Sequence, residues 1–258
     1  MRASRRECLP VLRPGQMVLW TLLTDDATDA ETACRLQEIL SADERNEARR
    51  FRRVTGRQRF VIARTLVRLA LSHHFPIPAG DWRFDRDRNG RPFIVAPAIS
   101  PPVRFSVSHT HGLVACLITL SAEAAVDVEK VEHSQDLAMV AREVLSPAEQ
   151  GALSVLSGTD WTTRFFDLWT LKEAYAKARG LGLSLTLSDI GFEIKPDNTI
   201  STHFASQIDD DSSDWVFWQR HLSAQHTISV AAKKSFGEGC KLILQPVKID
   251  GTRIYPEA

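Results

Sequence analysis

Apolar and polar positions change their spacing repeatedly along the chain, and each change marks an element. Met17–Leu23 is apolar apart from Thr21, the pattern of a strand covered on both faces. Residues 30–40 read as a short helix and 41–74 as a long helical stretch, with Gly56 as its expected interruption. Ser41 followed by Glu44 is a capping box, and Phe60, Ala63, Val67 and Ala70 recur at helical spacing. Phe75–Pro78 ends the helix. Strands over 81–84 and 91–95 flank Asp87-Arg88-Asn89-Gly90, where Asn-Gly predicts a type I′ hairpin and Pro92 suits an edge. Over 103–108, Phe105 and Val107 alternate with Ser106 and Ser108. Leu113–Leu120 is an apolar strand, which leaves Ser108, His109 and Gly112 in the turn before it. Ala124–Glu129 is another strand. Helices follow over 135–145 and 146–156, the second opened by Ser146 as N-cap and Pro147 at the first helical position. Residues 165–179 are rich in strong helix formers, and Gly180 stands where a helix stops. The remainder predicts strands over 188–194, 200–205, 215–221, 227–232 and 241–247. Helices followed by antiparallel strands therefore occur twice, before and after about residue 121.

Composition narrows the class. Lys plus Arg and Asp plus Glu are 32 each, so no global charge argues for nucleic acid or an anionic membrane. The charge is local instead: Arg45, Arg49, Arg50, Arg52, Arg53, Arg57 and Arg59 crowd one segment. They form either a solvated helix face or a site for an anionic group such as phosphate. Cys8, Cys34, Cys116 and Cys240 are scattered without a CxxC pair, which reads as reduced thiols. Pro10 and Pro14 break any leader-like apolar run, and nothing approaches the ~20 apolar residues of a membrane span. The expectation is a soluble cytoplasmic protein.

Three places carry candidate chemistry. Asp127 and Glu129 are two apart on a strand, so both carboxylates leave one face, while Val126 and Val128 face the core. Adjacent acids on an apolar strand are costly without a cation, and hard oxygen ligands suit Mg²⁺; a solvent-facing edge strand is the plain alternative. Trp169, Glu173 and Lys177 succeed each other at four-residue steps on one helix face, as an acid ligand and a phosphate clamp or as a surface ion pair. Ser108 and His109 are neighbours and point opposite ways in an extended chain, which argues against a nucleophile–base pair and for separate contacts to one ligand. Asp209-Asp210-Asp211 reads as a hairpin loop.

Phe105-Ser106-Val107-Ser108-His109-Thr110-His111-Gly112, Val126-Asp127-Val128-Glu129 and Trp169-Thr170-Leu171-Lys172-Glu173-Ala174-Tyr175-Ala176-Lys177 stand in order, with Gly90-Arg91-Pro92 upstream and Gly180-Leu181-Gly182-Leu183-Ser184 downstream. Together they resemble the Sfp-type 4′-phosphopantetheinyl transferases, in the subgroup carrying Trp and Lys-Glu-Ala in the third motif. The resemblance runs from the Ser41 helix to the C-terminal strands. It implies an α/β fold of the α+β type, with two similar halves in pseudo-two-fold arrangement, helices on mainly antiparallel sheets, and a ligand cleft between them. The halves would be 1–121, contributing to coenzyme A binding, and 122–258, with the metal site and carrier docking. It implies Mg²⁺-dependent transfer of the phosphopantetheine arm of coenzyme A to a serine of an apo carrier protein by a monomer, releasing 3′,5′-ADP. Manganese would be a substitute metal. Asp127, Glu129 and Glu173 match the metal ligands and Lys177 the phosphate-binding lysine. Ser108 and His109 match contacts to the pyrophosphate and 3′-phosphate. Arg91 stands where the family usually has a lysine near the pyrophosphate, and Arg59 at a position that contacts the nucleotide. Glu173, or a water held by Glu173 or Glu129, is the candidate base. Some positions depart from the pattern: Ser106 replaces a frequent Asn, Ala125 a frequent Gly, and Glu44 and Glu47 stand where lysines can bind coenzyme A. Lys172, off the Glu173–Lys177 face, is expected to matter less to phosphate, and Trp169 to serve packing. Another Mg²⁺-dependent nucleotide-acting phosphotransferase, or a noncatalytic coenzyme A and carrier binder, are the alternatives.

Overall fold

The computed structural model describes residues 12–24, 33–234, 240–250 and 253–256. Its first half contains β1 (Gln16–Leu23), α1 (Ala42–Arg50), α2 (Val54–His74), β2 (Arg83–Arg86), β3 (Pro92–Ala96), β4 (Val103–Thr110) and β5 (Leu113–Leu120). The second contains β6 (Ala124–Lys130), α3 (Leu137–Val144), α4 (Pro147–Leu153), α5 (Gly158–Arg179), β7 (Ile190–Ile194), β8 (Ile200–Phe204), β9 (Trp215–Ser223) and β10 (His226–Lys233). β11 (Lys241–Asp250) and β12 (Arg253–Pro256) follow.

The two halves repeat one topology. β1, β5 and β4 lie side by side in that order, and so do β6, β10 and β9. In each case a long helix and a two-stranded hairpin separate the first strand from the last pair. The first copy of the repeat ends with β5 and the second begins with β6, and the C-terminal strands belong to the sheet of the first copy. β11 joins the first sheet, running parallel to β1, and β12 pairs with it at the edge.

Burial explains the apolar patterns. Val18, Trp20 and Leu22 of β1 face α2, whose Ile62, Leu66 and Ala70 are buried against the sheet. Met17 and Leu19 face the other way and meet Val126, Val128, Ile228 and Val230 of the second sheet. β1 is therefore covered on both faces by a helix–sheet–sheet–helix stack. α5 closes the far side with Phe165, Leu168, Leu171 and Tyr175. No described helix is long and apolar enough to cross a membrane.

Several local expectations are corrected. The helical stretch after Ser41 breaks at 51–53, not at Gly56. Gly56 lies in the first turn of α2, where a Cβ would come 3.3 Å from the Phe51 ring that folds against it. Strand β2 begins at Arg83, after a 3₁₀ turn over Ala79–Asp81. In the β2–β3 turn only Gly90 has positive φ, so the turn is not type I′; Asp87 Oδ1 instead accepts the amides of Asn89 and Arg91. Ser108 and His109 belong to β4, and the turn to β5 is only His111-Gly112. α5 starts at Gly158, two turns earlier than predicted, and α4 stops at Leu153. Residues 30–32 of the first predicted helix lie outside the described residues; residues 33–36 are helical and turn 3₁₀ to Ile39. Asp210, expected in a plain loop, accepts hydrogen bonds from Tyr175 Oη (2.9 Å) and Trp215 Nε1 (2.8 Å) and pairs with Arg179, pinning the end of α5.

The two sheets meet edge to edge along β4 and β6 without exchanging backbone hydrogen bonds. Hydroxyls substitute for carbonyls. Ser106 Oγ accepts the amide of Val126 (3.2 Å), Ser108 Oγ that of Val128 (3.4 Å) and Thr110 Oγ1 that of Lys130 (3.2 Å). These amides are orphans of the edge strand β6, and a buried amide without a partner is costly.

Candidate active site

Alternation on β6 sends Asp127 and Glu129 to the face that α5 covers. Asp127 is 3% exposed, so the solvent-facing alternative does not hold. α5 presents Trp169, Glu173 and Lys177 to the same space, and its Gly180 cap adopts a left-handed φ of 65°. The result is a cavity of about 550 Å³ between the halves, walled by Phe60, Ala63 and Arg64 of α2, Ser108 and His109 of β4, Asp127 and Glu129 of β6, and the three α5 side chains, with Arg86 at its side.

Within it, Ser108 is a node. Its hydroxyl donates to Asp127 Oδ1 (2.9 Å) and receives the Lys177 ammonium (3.2 Å), which also pairs directly with Asp127. Asp127 Oδ2 is buried with no hydrogen-bond partner. Glu129 lies 3.5 Å from the Thr110 hydroxyl, and the Trp169 indole beside it favours the ionised carboxylate. Burial, reinforced by the Asp127 charge, pushes the Glu129 carboxyl up to about 7. Glu173 is pushed up for the same two reasons, in the same order. Burial lowers His109, and the Arg59, Lys177 and Arg64 charges lower it further.

The donor set fits a hard divalent cation. Three carboxylates line one cavity, one carboxylate oxygen is orphaned, and two carboxyls resist ionisation for want of compensating charge. The side chains do not converge into a finished ligand cluster, however. Among the described residues no group of three His, Cys, Asp or Glu side chains stands close enough to hold a metal. Lys177 supplies the positive charge at Asp127 instead.

The other predicted residues divide. Arg91 does not line this cavity. Its guanidinium donates to the carbonyls of Ala178 and Ala124, 3.1 Å each, and lines a neighbouring apolar cavity of about 370 Å³ that shares Pro92, Val107, Glu173 and Lys177 as walls. Arg59 lines neither; only its charge reaches His109. Glu44 and Glu47 are internal partners: Glu44 takes the buried Arg68 (2.7 Å) while closing the capping box, and Glu47 pairs with Arg86 (2.7 Å). Lys172 is fully buried, paired with Glu149 at 2.8 Å, away from the cavity as expected. Trp169 packs on Phe165, as expected, and also lines the cavity. Arg64 went unnoticed in the sequence. Its only signal there is a charged residue inside the apolar run Phe60–Ala70.

Two family models match consecutive parts of the chain. One, described as the 4′-phosphopantetheinyl transferase superfamily, covers residues 124–231. The other, the N-terminal part of 4′-phosphopantetheinyl transferase, covers 27–121. The chain belongs to the 4′-phosphopantetheinyl transferase superfamily. Curated relatives agree. The chain is 29% identical over 188 residues to the 4′-phosphopantetheinyl transferase HetI of Nostoc sp., covering 72% of this chain and 77% of that one. It is 27% identical over 185 residues to the 4′-phosphopantetheinyl transferase Sfp of Bacillus subtilis, covering 72% and 80%. A crystal structure of a holo-(acyl-carrier-protein) synthase from Bacillus anthracis in complex with CoA (3′,5′-ADP) is similar over 43% of this chain and 95% of that chain, at 18% identity and a TM-score of 0.37. The boundary between the two family matches falls in the connection between β5 and β6. The cavity that carries the motif residues lies on the seam between β4 and β6.

Proposed function

We propose that this transferase moves the phosphopantetheine arm of coenzyme A to a serine of an apo carrier protein, with Asp127, Glu129 and Glu173 holding Mg²⁺ in the cavity between the halves. The observation that carries this reading is that those three carboxylates line one cavity together with Lys177 and His109, with Asp127 Oδ2 left without a partner among the described residues.

In the reaction the serine Oγ forms a bond to the β-phosphorus and the bond from that phosphorus to the oxygen of 3′,5′-ADP breaks. The leaving nucleotide keeps the electron pair, and the serine proton passes to a base. Bound Mg²⁺ would supply positive charge to the phosphate oxygens. The chain's own part is placement and electrostatics. Lys177, on a rigid helix and steadied by Ser108 and Asp127, directs an ammonium at the same oxygens. His109, whose pKa burial and the nearby Arg59, Lys177 and Arg64 charges lower in the free protein, donates a hydrogen bond to a phosphate of the bound substrate. Glu173 or Glu129, with carboxyls raised by burial, takes the serine proton directly or through a water. The shared walls of the apolar cavity lead away from Glu173 and Lys177 and give the arm a path.

All of these residues come from one chain, and a monomer suffices for the chemistry. We place the reaction in the cytoplasm; among the described residues Cys34, Cys116 and Cys240 are free thiols, as a reducing compartment leaves them. The test is to incubate the protein with coenzyme A, Mg²⁺ and an apo carrier, and weigh the carrier. A gain equal to the phosphopantetheine arm, absent when Mg²⁺ is chelated, is the expected result. No gain across acyl, peptidyl and aryl carriers would sink the reading.

A further inference from the structure

The last two turns of α5 carry two pairs of side chains at four-residue spacing. Glu173 and Lys177 line the active-site cavity. Tyr175 and Arg179 follow each of them by two residues, about 200° round the helix, and occupy its back. One carboxylate grips that back face. Asp210, in the loop between β8 and β9, accepts at Oδ2 the Tyr175 hydroxyl (2.9 Å) and the Trp215 indole (2.8 Å). The same oxygen pairs with Arg179, which also donates to the Tyr175 oxygen (2.9 Å). Oδ1 faces Lys233 at 3.6 Å and accepts the Asp211 amide (3.0 Å). Asp209, Asp211 and Asp214 share the loop but are exposed, whereas the Asp210 side chain is 5% exposed. Lys234, whose charge reaches Asp211, donates to the Ser213 carbonyl (2.6 Å).

Trp215 and Lys233 are register partners on β9 and β10. β10 in turn pairs with β6, where Ser229 stands opposite Asp127 and Thr227 opposite Glu129. Asp210 therefore joins the back of the turn that carries Glu173 to the sheet that carries the other two acids. We propose that Asp210 is a positioning residue that fixes the gap between α5 and this sheet, and with it the fit of the three carboxylates to a small divalent cation. The inference rests on the proposed function above. Asp127 and Glu129 are set relative to each other by one strand, whereas Glu173 comes from the helix, so the spacing of the donor set depends on how α5 sits over the sheet. Before Glu173, Thr170 Oγ1 and Ser229 Oγ meet at 2.7 Å and anchor the helix to β10. Asp210 supplies the anchor beyond it, so the acid lies between two fixed points. The clasp of Arg91 and Asn89 reaches the same helix end from the first half, through the carbonyls of Ala178 and Gly180. Asp210 holds side chains from within the half that owns the acids. Mg²⁺ demands near-ideal octahedral oxygen geometry at short distances, whereas Ca²⁺ accepts longer bonds and looser geometry. A helix end free to ride away from the sheet would therefore weaken Mg²⁺ more than Ca²⁺.

The experiment is calorimetric titration of Mg²⁺ and of Ca²⁺ into the full chain saturated with coenzyme A, well below the unfolding temperature of each variant, alongside carrier loading. Wild type should bind Mg²⁺ and load the carrier. Asp210→Ala should bind Mg²⁺ about 10-fold more weakly or worse, the loss typical when a residue that orients metal ligands is removed. Its loss of Ca²⁺ affinity should be smaller, so that the ratio of the two affinities moves toward Ca²⁺. Asp210→Asn keeps an oxygen for Tyr175 and Trp215 but no charge for Arg179 and Lys233, and should restore part of the ratio. Tyr175→Phe removes one bond to the helix and leaves the carboxylate in place; it should move the ratio the same way by less. A residue that only stabilises the fold would lower the unfolding temperature and leave the ratio of the folded protein where it is. A wild-type ratio in every variant that folds, even if both affinities fall, overturns the assignment while leaving transfer intact. If the Ala variant does not fold, the Asn and Phe variants decide by the same criterion. Failure of wild type to bind Mg²⁺ or to load any carrier overturns the functional reading and this inference with it.

Discussion

Lys172 and Lys177 sit five residues apart in one motif, and the structure assigns them opposite work. Lys172 Nζ is sealed in the second core. It pairs with Glu149 at 2.8 Å, side chains 0% and 2% exposed, and donates to the carbonyls of Leu187 (3.0 Å) and Ile190. Glu149 in turn accepts the amides of Ser146 (2.7 Å) and Phe192 (2.8 Å), so the pair ties α4, α5 and β7 together. Burial lowers the Lys172 pKa, and Glu149 works against that fall. Lys172→Met removes one partner of a buried pair and leaves Glu149 uncompensated, a change that costs about 3–5 kcal/mol. Against a total stability of about 5–15 kcal/mol this is a large fraction. With a urea slope of about 3 kcal/mol/M, the unfolding midpoint should fall by about 1 M or more. Adding Glu149→Gln should recover part of the loss, because a neutral amide needs no counter-charge. Transfer by the folded fraction, measured well below the midpoint, should survive. The comparison is Glu173→Gln, which should abolish transfer and leave the midpoint unchanged or raised, because it removes a carboxyl whose ionisation burial already opposes. A Lys172→Met protein as stable as wild type but unable to transfer would refute the reasoning and put Lys172 on the substrate.

Other outcomes follow from the site. The raised carboxyls of Glu129 and Glu173 favour the protonated folded state, so metal-free stability should fall as pH rises from about 4.5 through about 7, by roughly 3 kcal/mol for Glu129 alone. Added Mg²⁺ should therefore raise the unfolding temperature more at pH 8 than at pH 5, and Asp127→Asn should erase that difference. His109, lowered in the free protein, should take up a proton when 3′,5′-ADP binds near pH 7, read as a buffer-dependent binding enthalpy that vanishes in His109→Asn. Ser106→Ala strips the acceptor from the Val126 amide and should cost about 1–3 kcal/mol in denaturant unfolding.

How much of this was legible in the sequence depends on what each element answers to. The capping box at Ser41, the Gly180 stop and the two-sided strand β1 follow from local chemistry, and the structure agrees with them. The alternation that placed Asp127 and Glu129 together, and the four-residue steps of Trp169, Glu173 and Lys177, also needed only geometry within one element. What was missed depends on contacts far along the chain. Gly56 looked like a breaker, but its missing Cβ makes room for the Phe51 ring. β11 reads as one more strand, and only packing reveals that it crosses back to β1. Arg91 matched a position near the pyrophosphate, and its guanidinium is engaged by carbonyls of the other half. Arg64 could not be ranked among so many arginines until the cavity it lines was known.

The seam explains why chemistry sits here rather than elsewhere on two similar halves. Two edge strands that paired by backbone would merge into one sheet and leave no cleft. Hydroxyls from β4 satisfy the amides of β6 instead, and each hydroxyl keeps a further capacity that a backbone carbonyl lacks. Ser108 uses it to donate to Asp127 while receiving Lys177, so the bond that joins the halves also orients the acid and the ammonium. Two clasps hold this register from its ends. Arg91 and Asn89 reach from the β2–β3 turn to Ala178 and Gly180 at the end of α5, and His226 Nε2 donates to the His111 carbonyl at 2.8 Å. Gly112 is needed at the second clasp, because a Cβ there would meet the His226 ring at 3.2 Å in a backbone of φ 85°. Gly112→Ala should therefore lower transfer through Asp127 and Lys177 without touching either. Coenzyme A titrations should show a weakened affinity whose size tracks the loss of thermal stability. A stable Gly112→Ala protein with full turnover would mean that the seam and the site are independent.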